Sequence, residues 1–531
     1  MKNPAALAPL RHPDFRMLWL ANLASNIGLF VQNTAAGWLM TSLDPSPMMV
    51  SLVQAASMLP VFLLALPAGA LADIMDRRIF LIAAQLWMAA MAMLLCLLSG
   101  FDALGPWGLV ALTFALGAGL AMTFPAWAAT TPELVPRPDL ISAIALNGIG
   151  FNITRAIGPA IGGLTIAWFG MGAAFALNAA CILVMVAALF AWKRPATASR
   201  MPREHFLSAV RAGTRFVAAT PAMHAAIMRA VVFFLFGSAV WGLLPLLVRD
   251  TLQLGPQAFG LLLGCMGVGA VGAGFLLPAL RGRLDRSGMV LWASLIGALA
   301  MAILALLHHW SFAALGMLLY GVSWISAAST LQASAQMAAP AWVRARAIGI
   351  YQMCFFGALA AGSALSGWIA SLVGVTWAMF LFAMGAALGA ILVRHWRLEG
   401  EAPATPEAVE LVRPAPAAAE LRDLLHDGAN RVLEVVRYHV APEDRAAFLA
   451  VMAECRLVRL RGGAATWRLY EDIAKPDRWV ELWAIESWAE HLREAGRLSD
   501  EDRVTLARAA ALNREAGGPE AVRYVNVPVG R

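Results

Sequence analysis

One long apolar stretch of the chain carries polar side chains whose types and spacing could bind a small solute. Arg155 lies about midway through the stretch that begins near Leu140, and Asn147 and Asn152 share its flank on a helical projection. A charge at this depth of a bilayer costs several kcal/mol and usually marks a functional cavity. We predict that Arg155 pairs there with an anionic substrate group, a carbonyl or a partner helix. The structural alternative is an arginine bound only to backbone carbonyls.

Two further apolar stretches carry polar side chains at helical spacing. The first contains Asn22, Asn26 and Asn33, with Gln32 beside Asn33. Amide groups at membrane depth must face protein or water, so a cavity wall and a hydrogen-bonded seam between helices are both open. A weaker third stripe is formed by Ser329, Gln332 and Gln336. We assign Asn22, Asn26, Asn33, Asn147, Asn152, Arg155 and Gln332 to a predicted substrate cavity.

The composition indicates that these stretches cross a membrane. Of 531 residues, 60% are hydrophobic and 14% are charged, whereas soluble domains average about a quarter charged. The mean hydropathy of +0.68 argues against a soluble protein, and the apolar mass argues against disorder. About twelve stretches before residue 397 are long enough to span a bilayer. They begin near Phe15, Met48, Ile79, Gly105, Leu140, Gly172, Ile227, Ala258, Met289, Phe312, Ala347 and Thr376.

The charges along the chain predict its orientation. Residues 1–397 contain 22 Lys and Arg against 10 Asp and Glu, and nearly all of the basic residues fall in alternate loops. This is the positive-inside pattern of a membrane protein, so we predict no nucleic-acid partner and place both termini in the cytoplasm. The first stretch is read as a retained helix because no cleavage site follows a short apolar core. The longest loop, Lys193 to Met223, divides the stretches into six plus six.

The fold class predicted is an all-α polytopic membrane protein with twelve transmembrane helices in a 6+6 pseudo-repeat, followed by a small α+β ferredoxin-like domain. Residues 1–397 form the membrane domain, and residues 398–430 form a linker rich in Pro, Ala and Glu. Residues 431–531 contain charged and strand-like segments in the order β-α-β-β-α-β. Gly462-Gly463 is predicted to end the first helix of this domain.

The sequence offers no recognisable catalytic machinery. Its five cysteines lie singly, without metal or disulfide spacing, and the C-terminal region has no nucleophile–base pair or phosphate loop. We therefore predict no enzyme activity, no metal and no cofactor. The ten carboxylates before residue 397 fall at loops or span ends. The coupling ion therefore stays open, with proton exchange through Asp73, Asp250 or a substrate carboxylate as one option.

The turn after the second stretch carries Gly69, Asp73, Arg77 and Arg78 at a characteristic spacing. This pattern resembles the loop signature of the major facilitator superfamily, although Ile74 and Asp76 stand where the family usually has Arg and Gly. The resemblance implies that Gly69 permits close helix contact and that Asp73 and the arginine pair form cytoplasmic ion pairs that lock one conformation. Ordinary loop charges that follow topology are the alternative.

The fifth stretch contains Gly158, Pro159, Gly162 and Gly163. The run is similar to the core of the antiporter motif of drug-exporting facilitators, and its upstream glycines are replaced by Ala145 and Thr154. Small residues four apart form a ridge for close helix packing, and the proline frees a backbone carbonyl four residues earlier. The resemblance implies export with proton antiport as one option, and a packing ridge without directional meaning is the alternative.

The segments Leu10 to Asn22 and Pro132 to Arg155 resemble the facilitator subfamily that includes the enterobactin exporter and related secretion effectors. The resemblance implies a transporter in the bacterial inner membrane that exports a small amphipathic molecule, such as a drug-like compound or a siderophore. Glu486 to Arg493 resembles a cytoplasmic extension of the antibiotic-biosynthesis monooxygenase type, which implies a dimerising or regulatory module. The alternatives are a lipid or lysolipid translocase and a membrane-anchored enzyme or sensor acting through residues 431–531.

Overall fold

The computed structural model describes residues 7–192, 206–281, 283–340, 343–398, 431–488, 490–492, 498, 500–515 and 518–527. Two compact units are present. The first, the membrane unit, comprises Met1–Arg203, Ala225–Ser334 and Tyr351–Leu398, and the second, the C-terminal unit, comprises Glu204–His224, Ala335–Ile350 and Glu399–Arg531. The C-terminal unit thus contains two segments that lie between apolar stretches in the sequence.

Twelve α-helices precede the C-terminal sheet in the described chain. Their bounds are α1 Pro13–Leu43, α2 Pro47–Ile74, α3 Arg77–Gly100, α4 Pro106–Leu134, α5 Leu140–Ala191, α6 Phe206–Ala219, α7 Pro221–Leu246, α8 Pro256–Arg281, α9 Arg286–Leu306, α10 Trp310–Ala338, α11 Arg344–Val373 and α12 Val375–Leu392. We call α1 to α5 the first half and α7 to α12 the second half.

Local sequence explains where these helices begin and break. Proline at the first helical position starts α1, α2 and α4, where its missing N–H costs no intrahelical bond. Asp76 caps α3 by accepting bonds from the backbone N–H groups of Arg78 and Ile79. Within α5, Gly170 has a φ of 83° and a ψ of 176°, which interrupts the helix. The break lies between the two stretches that are predicted to begin near Leu140 and Gly172.

Ten described helices are long and apolar enough to cross a membrane, whereas the sequence predicts twelve spans. Two physical reasons account for the difference. The segment Arg137–Ala191 counts once, although the break at Gly170 separates two of the predicted spans. Helix α1 is not among the ten, since its asparagines, Gln32, Asp14 and Arg16 lower its mean hydropathy. The structure therefore establishes a mainly helical protein with ten candidate spans.

The C-terminal sheet has four antiparallel strands in the order β2-β3-β1-β4. The elements follow one another as β1 Val432–His439, α13 Arg445–Gly462, β2 Thr466–Glu471, β3 Arg478–Ile485, α14 Asp500–Ala511 and β4 Glu520–Val525. Helix α13 ends at Gly463, which has a left-handed φ of 117°. Glycine adopts this conformation without a Cβ clash, and the predicted end of the helix is confirmed.

The core of this small sheet contains one completely buried carboxylate. Arg459 Nε and Trp467 Nε1 donate to Glu481 Oε1 at 3.1 and 2.9 Å, and the Tyr438 hydroxyl donates to Oε2 at 3.1 Å. Burial, reinforced by Glu481, raises the pKa of Tyr438 well above its ordinary value, so the hydroxyl remains a donor. These bonds join β3, which carries Glu481, to β1, α13 and β2, so the buried carboxylate stabilises the fold of the domain.

Cys455 on α13 is expected to resist alkylation until the C-terminal domain unfolds. Burial, and then the charge of Glu481, raise its pKa from 9.0 to about 12. Only the thiolate reacts, so its reaction with iodoacetamide at pH 8 should be about a thousandfold slower in the folded protein. The folded pKa is raised, so this thiol's contribution to stability is complete below pH 9 and is lost as the pH rises through about 12. Peptide mass spectrometry with and without denaturant measures the ratio, and equal rates would contradict the burial.

Candidate functional site

A cavity of about 190 Å³ lies inside the first half, between α1, α3, α4 and α5. Its described lining contains amides, hydroxyls, aromatic rings and one thioether, but no ionisable side chain. The lining residues are Asn22, Ser25, Asn26, Leu29, Gln85, Met88, Leu120, Thr123, Phe124, Trp127, Asn147 and Phe151. We call this the amide cavity. Its chemistry suits an uncharged polar group attached to an apolar or aromatic body.

Three of the predicted site residues, Asn22, Asn26 and Asn147, meet at the amide cavity. Asn147 Nδ2 donates to Thr131 Oγ1 at 3.1 Å, while its Oδ1 is buried without a partner in the described part of the chain. Gln85 is 2% exposed, and its Oε1 is likewise without a described partner. A buried polar atom without a partner costs about 1–3 kcal/mol, and a bound donor would remove that cost.

A smaller cavity of about 20 Å³ adjoins the amide cavity, since Leu29, Met88 and Leu120 line both. Asn33 lines it, as do Gln32 and Asn178, which are joined by a bond of 3.2 Å from Asn178 Nδ2 to Gln32 Oε1. The space is sufficient for about one water molecule. Asn33 is therefore separated from the other asparagines of α1.

Arg155 and Asn152 line neither of these two described cavities. Arg155 Nη2 donates to Asn152 Oδ1 at 3.0 Å, and Asn152 Nδ2 donates to the carbonyl of Gly148 at 2.9 Å. The shared flank predicted for these residues thus becomes a direct side-chain contact. Tyr320 of α10 lies in the neighbourhood of Arg155, so the guanidinium lies near the second half.

Tyr320 belongs to an aromatic cluster in the second half. Its hydroxyl donates to the carbonyl of Gly237 at 2.6 Å, and its ring lies 5.9 Å from that of Trp324. Phe356 at the edge of the cluster lies 6.2 Å from Phe124 of the amide cavity. The other members of the cluster are Phe233, Phe234, Trp241 and Phe355. Aromatic rings therefore extend from the amide cavity towards the neighbourhood of Arg155.

Gln332 lies on α10 and is outside the described lining of both cavities. Its assignment to the substrate cavity stays a prediction. Sequence reasoning missed Gln85 and Thr123 of the amide cavity and Asn178 beside the small cavity. Gln85 and Asn178 are each the only amide in their stretch. A lone amide at membrane depth is a usable signal, since it must find a polar neighbour.

The predicted gating residues bind within the first half. Arg77 Nη1 donates to Glu133 Oε1 at 2.5 Å, and Arg78 donates to the carbonyls of Leu189 and Phe190 at 2.9 and 2.8 Å. These carbonyls end a helix, where a cation is electrostatically favoured. Arg77 thus binds Glu133 and also the carbonyl of Ala129, and Asp73 lies outside the described side chains. Gly69 has open space around the position of a Cβ.

The antiporter-like run lies against two helices. A Cβ at Gly158 would meet the side chain of Phe30 on α1, and one at Gly162 would meet the backbone of Val31 on the same helix. A Cβ at Gly163 would lie 2.7 Å from Gly260 Cα on α8. Pro159 contributes its carbonyl to the same contact with α8. These residues bring α5 close to α8, which lies in the second half.

A second contact between the halves lies near the ends of α1 and α7. Arg249 Nη1 donates to the carbonyl of Thr41, and also to Thr41 Oγ1 at 3.0 Å. Among the loops that lack the other basic residues, Arg249 is the single Lys or Arg in the sequence. Near the start of α2, Ser51 and the carbonyl of Pro47 surround the Cβ position of Gly367 on α11. The two halves therefore meet closely at their arginine-poor ends.

The C-terminal domain contains a second cluster of contacting polar side chains, apart from the one around Glu481. Glu434 Oε1 lies 2.6 Å from His491 Nδ1, and Arg523 Nη1 lies 3.0 Å from His491 Nε2. Across the described residues, no group of three or more His, Cys, Asp or Glu side chains is arranged to hold a metal ion.

A family profile and a relative of known name both match this chain in sequence. A family profile described as transmembrane secretion effector matches residues 4–529. The enterobactin exporter EntS of Escherichia coli O1:K1 / APEC is 29% identical over 328 residues, which cover 60% of this chain and 76% of the exporter.

Solved transporter structures share the fold. A bacterial homologue of the human lysosomal transporter Spinster, in an inward-facing and unoccupied conformation, matches with a TM-score of 0.59 and 14% identity, covering 72% of this chain and 98% of that one. The nucleoside transporter NupG matches with a TM-score of 0.62 and 10% identity, covering 72% and 99%.

Proposed function

Because the chain belongs to the transmembrane secretion effector family of major facilitator transporters, we propose that it exports a small amphipathic molecule by alternating access of its two halves. The membrane unit is a multi-pass transport domain. The substrate class we favour combines an uncharged hydrogen-bonding group with an aromatic or apolar body, as in a drug-like compound or a siderophore. Proton antiport is the coupling we favour, and the chain is a transporter rather than an enzyme.

The observation that carries this proposal is the amide cavity. Gln85 and Asn147 each present a buried oxygen without a described partner in a space of about 190 Å³. Unsatisfied acceptors at membrane depth are costly, and a ligand that donates hydrogen bonds to them would remove that cost. The aromatic rings of Phe124 and Trp127 would hold the apolar part of the same ligand.

Alternating access is supported by the contacts at the arginine-poor ends. In our proposal these ends face the outside, both termini face the cytoplasm, and the described conformation is closed to the outside. Breaking the small-residue contacts between α5 and α8, together with the bonds of Arg249, opens that side. Arg77 and Arg78 hold α3, α4 and α5 together as one moving body. The break at Gly170 supports a count of twelve membrane helices in a bacterial inner membrane, with residues 1–397 as the membrane domain.

The C-terminal domain is assigned a regulatory role in this proposal. The antiparallel order β2-β3-β1-β4 with helices after β1 and β3 supports a ferredoxin-like fold for residues 431–531, joined by the linker 398–430. Dimerisation through this domain is part of the proposal.

Replacing Gln85 by leucine is expected to lower export about tenfold, because the acceptor is lost while the side-chain volume is kept. Energised cells that produce the protein should accumulate less of at least one member of a panel of fluorescent amphiphiles and chelators. A protonophore should remove the difference, and cells with the Gln85→Leu variant should keep about a tenth of the wild-type export.

Gln257→Leu is the matched control, because Gln257 is exposed in the first turn of α8 and should leave export unchanged. Equal export by wild type and Gln85→Leu would contradict the role of the amide cavity. Movement of labelled lysolipid in liposomes, with no effect on any panel compound, would favour the lipid-translocase alternative.

A further inference from the structure

Helix α6 lies in the loop that joins the two halves, yet it belongs to the same compact unit as the C-terminal domain. A single residue, Thr220, separates α6 from α7 in the sequence. The Thr220 hydroxyl donates to the carbonyl of Phe216 at 2.7 Å, and the backbone N–H of Met223 donates to the carbonyl of Thr220 at 3.1 Å. The end of α6 is therefore tied to the beginning of α7, so any force on α6 acts on the connector.

Among its described contacts with α6, the C-terminal domain contributes an ion pair and a packed helix. Arg215 Nη2 on α6 donates to Glu486 Oε1 at 2.7 Å, just after β3 ends, and both side chains are about 30% exposed. Helix α13 packs against α6 as well. A partly buried charge pair of this length specifies position more than it adds stability.

On another side, α6 packs closely against the start of α11. Gly213 lies against the side chain of Arg346, near the start of α11, and a Cβ at Gly213 would lie 2.9 Å from Arg346 Cβ. Phe216 is 2% exposed and Val217 is 8% exposed. The helix is thus enclosed between the start of α11 and the C-terminal domain, which differs from a connector that is free in solvent.

We propose that the C-terminal domain uses α6 as its docking site and that this docking restrains the connector between the two halves. The restraint rests on the proposed transport function, whereas the docking does not. The two halves must move relative to each other in every transport cycle. A contact that holds their connector raises the barrier to that movement, and its release should therefore raise the rate of export.

Charge reversal in the full-length protein, reconstituted in lipid nanodiscs, tests the docking. Arg215→Glu should make amide hydrogen exchange in residues 213–219 about fivefold faster, since like charges then face each other. The exchanged pair, Arg215→Glu with Glu486→Arg, should restore slow exchange. Arg437→Glu is the matched control: Arg437 pairs with Glu520 at 2.8 Å on an exposed part of the sheet, and its reversal should leave exchange in α6 unchanged.

Liposome flux of the same variants tests the restraint. Arg215→Glu should raise flux about twofold, and the exchanged pair should return it to the wild-type rate. Unchanged exchange in Arg215→Glu, or fast exchange in the exchanged pair, overturns the docking. Altered exchange with unchanged or lower flux overturns the restraint. If the wild type transports no compound, the proposed function fails and the restraint fails with it, while exchange still decides the docking.

Discussion

Replacing Gly163 by leucine is expected to reduce export to background, with the protein still inserted in the membrane. A Cβ at this position would lie 2.7 Å from Gly260 Cα and 2.8 Å from the carbonyl oxygen of Pro256. Both are backbone atoms, so the neighbouring side chains cannot relieve the clash and α5 and α8 must move apart. Overpacking of this kind typically costs about 1–3 kcal/mol, and the lost contact is one that closes the arginine-poor ends.

The control for this variant is Gly148→Leu, in the same helix. No atom lies within 4 Å of a Cβ at Gly148, so this change should keep wild-type export. It should also stabilise the helix by about 1 kcal/mol, because leucine has a higher helix propensity than glycine. Export is measured in energised vesicles, and insertion is measured by the yield of monodisperse protein. Wild-type export by Gly163→Leu would show that the contact between α5 and α8 has no part in the cycle.

Replacing Arg155 by methionine is expected to lower export about fiftyfold while leaving thermal stability unchanged or slightly higher. The guanidinium donates to Asn152 and lies near Tyr320 of the second half, and in the described part of the chain it has none of the backbone partners that hold a purely structural arginine. Removing a charge from membrane depth relieves a cost of about 3 kcal/mol. A structural role would therefore lower the melting temperature, whereas a transport role lowers export alone.

Two further variants define what Arg155 contributes. Arg155→Lys keeps the charge and loses the planar fork, so it should restore part of the export if the charge matters most. Arg283→Met removes an exposed arginine between α8 and α9 and should leave export unchanged. Full export by Arg155→Met would sink the pairing role. A lowered melting temperature together with lost export would instead assign Arg155 to the fold.

Arg229 shows the kind of arginine that the alternative interpretation of Arg155 describes. It is 3% exposed, and its guanidinium donates to the carbonyls of Trp396, Ser287 and Arg394 at 2.8 to 3.1 Å. These bonds tie the start of the second half to its end. Sequence position alone could not show which of Arg155 and Arg229 is bound to backbone carbonyls, since both lie in apolar stretches.

Helical spacing was sufficient to group several site residues. Asn22 and Asn26 lie one turn apart on α1, and the structure places both at the amide cavity together with Asn147. The pair of Asn152 and Arg155, three residues apart, also follows from spacing. The break at Gly170 was predictable because glycine tolerates a positive φ.

Contacts between distant parts of the chain could not be predicted in this way. The contacts of Gly260 with Gly163 and of Glu486 with Arg215 are fixed by the packing of whole helices or domains, and so is the position of Tyr320 near Arg155. No local pattern in a single sequence specifies which helix faces which. Gln85 lacked helical periodicity, because it is the only amide in its stretch, and its depth in the membrane was the only signal it offered.

The amide cavity is built entirely from residues 22–151, and this has a consequence for inhibitors. If the first half moves as a rigid body, a compound that fills only this cavity makes the same contacts whichever side of the membrane is open. A ligand with equal affinity for two states shifts neither population, however tightly it binds. An effective blocker must therefore extend from the cavity to the aromatic cluster of the second half, so that one conformation gains contacts that the other lacks.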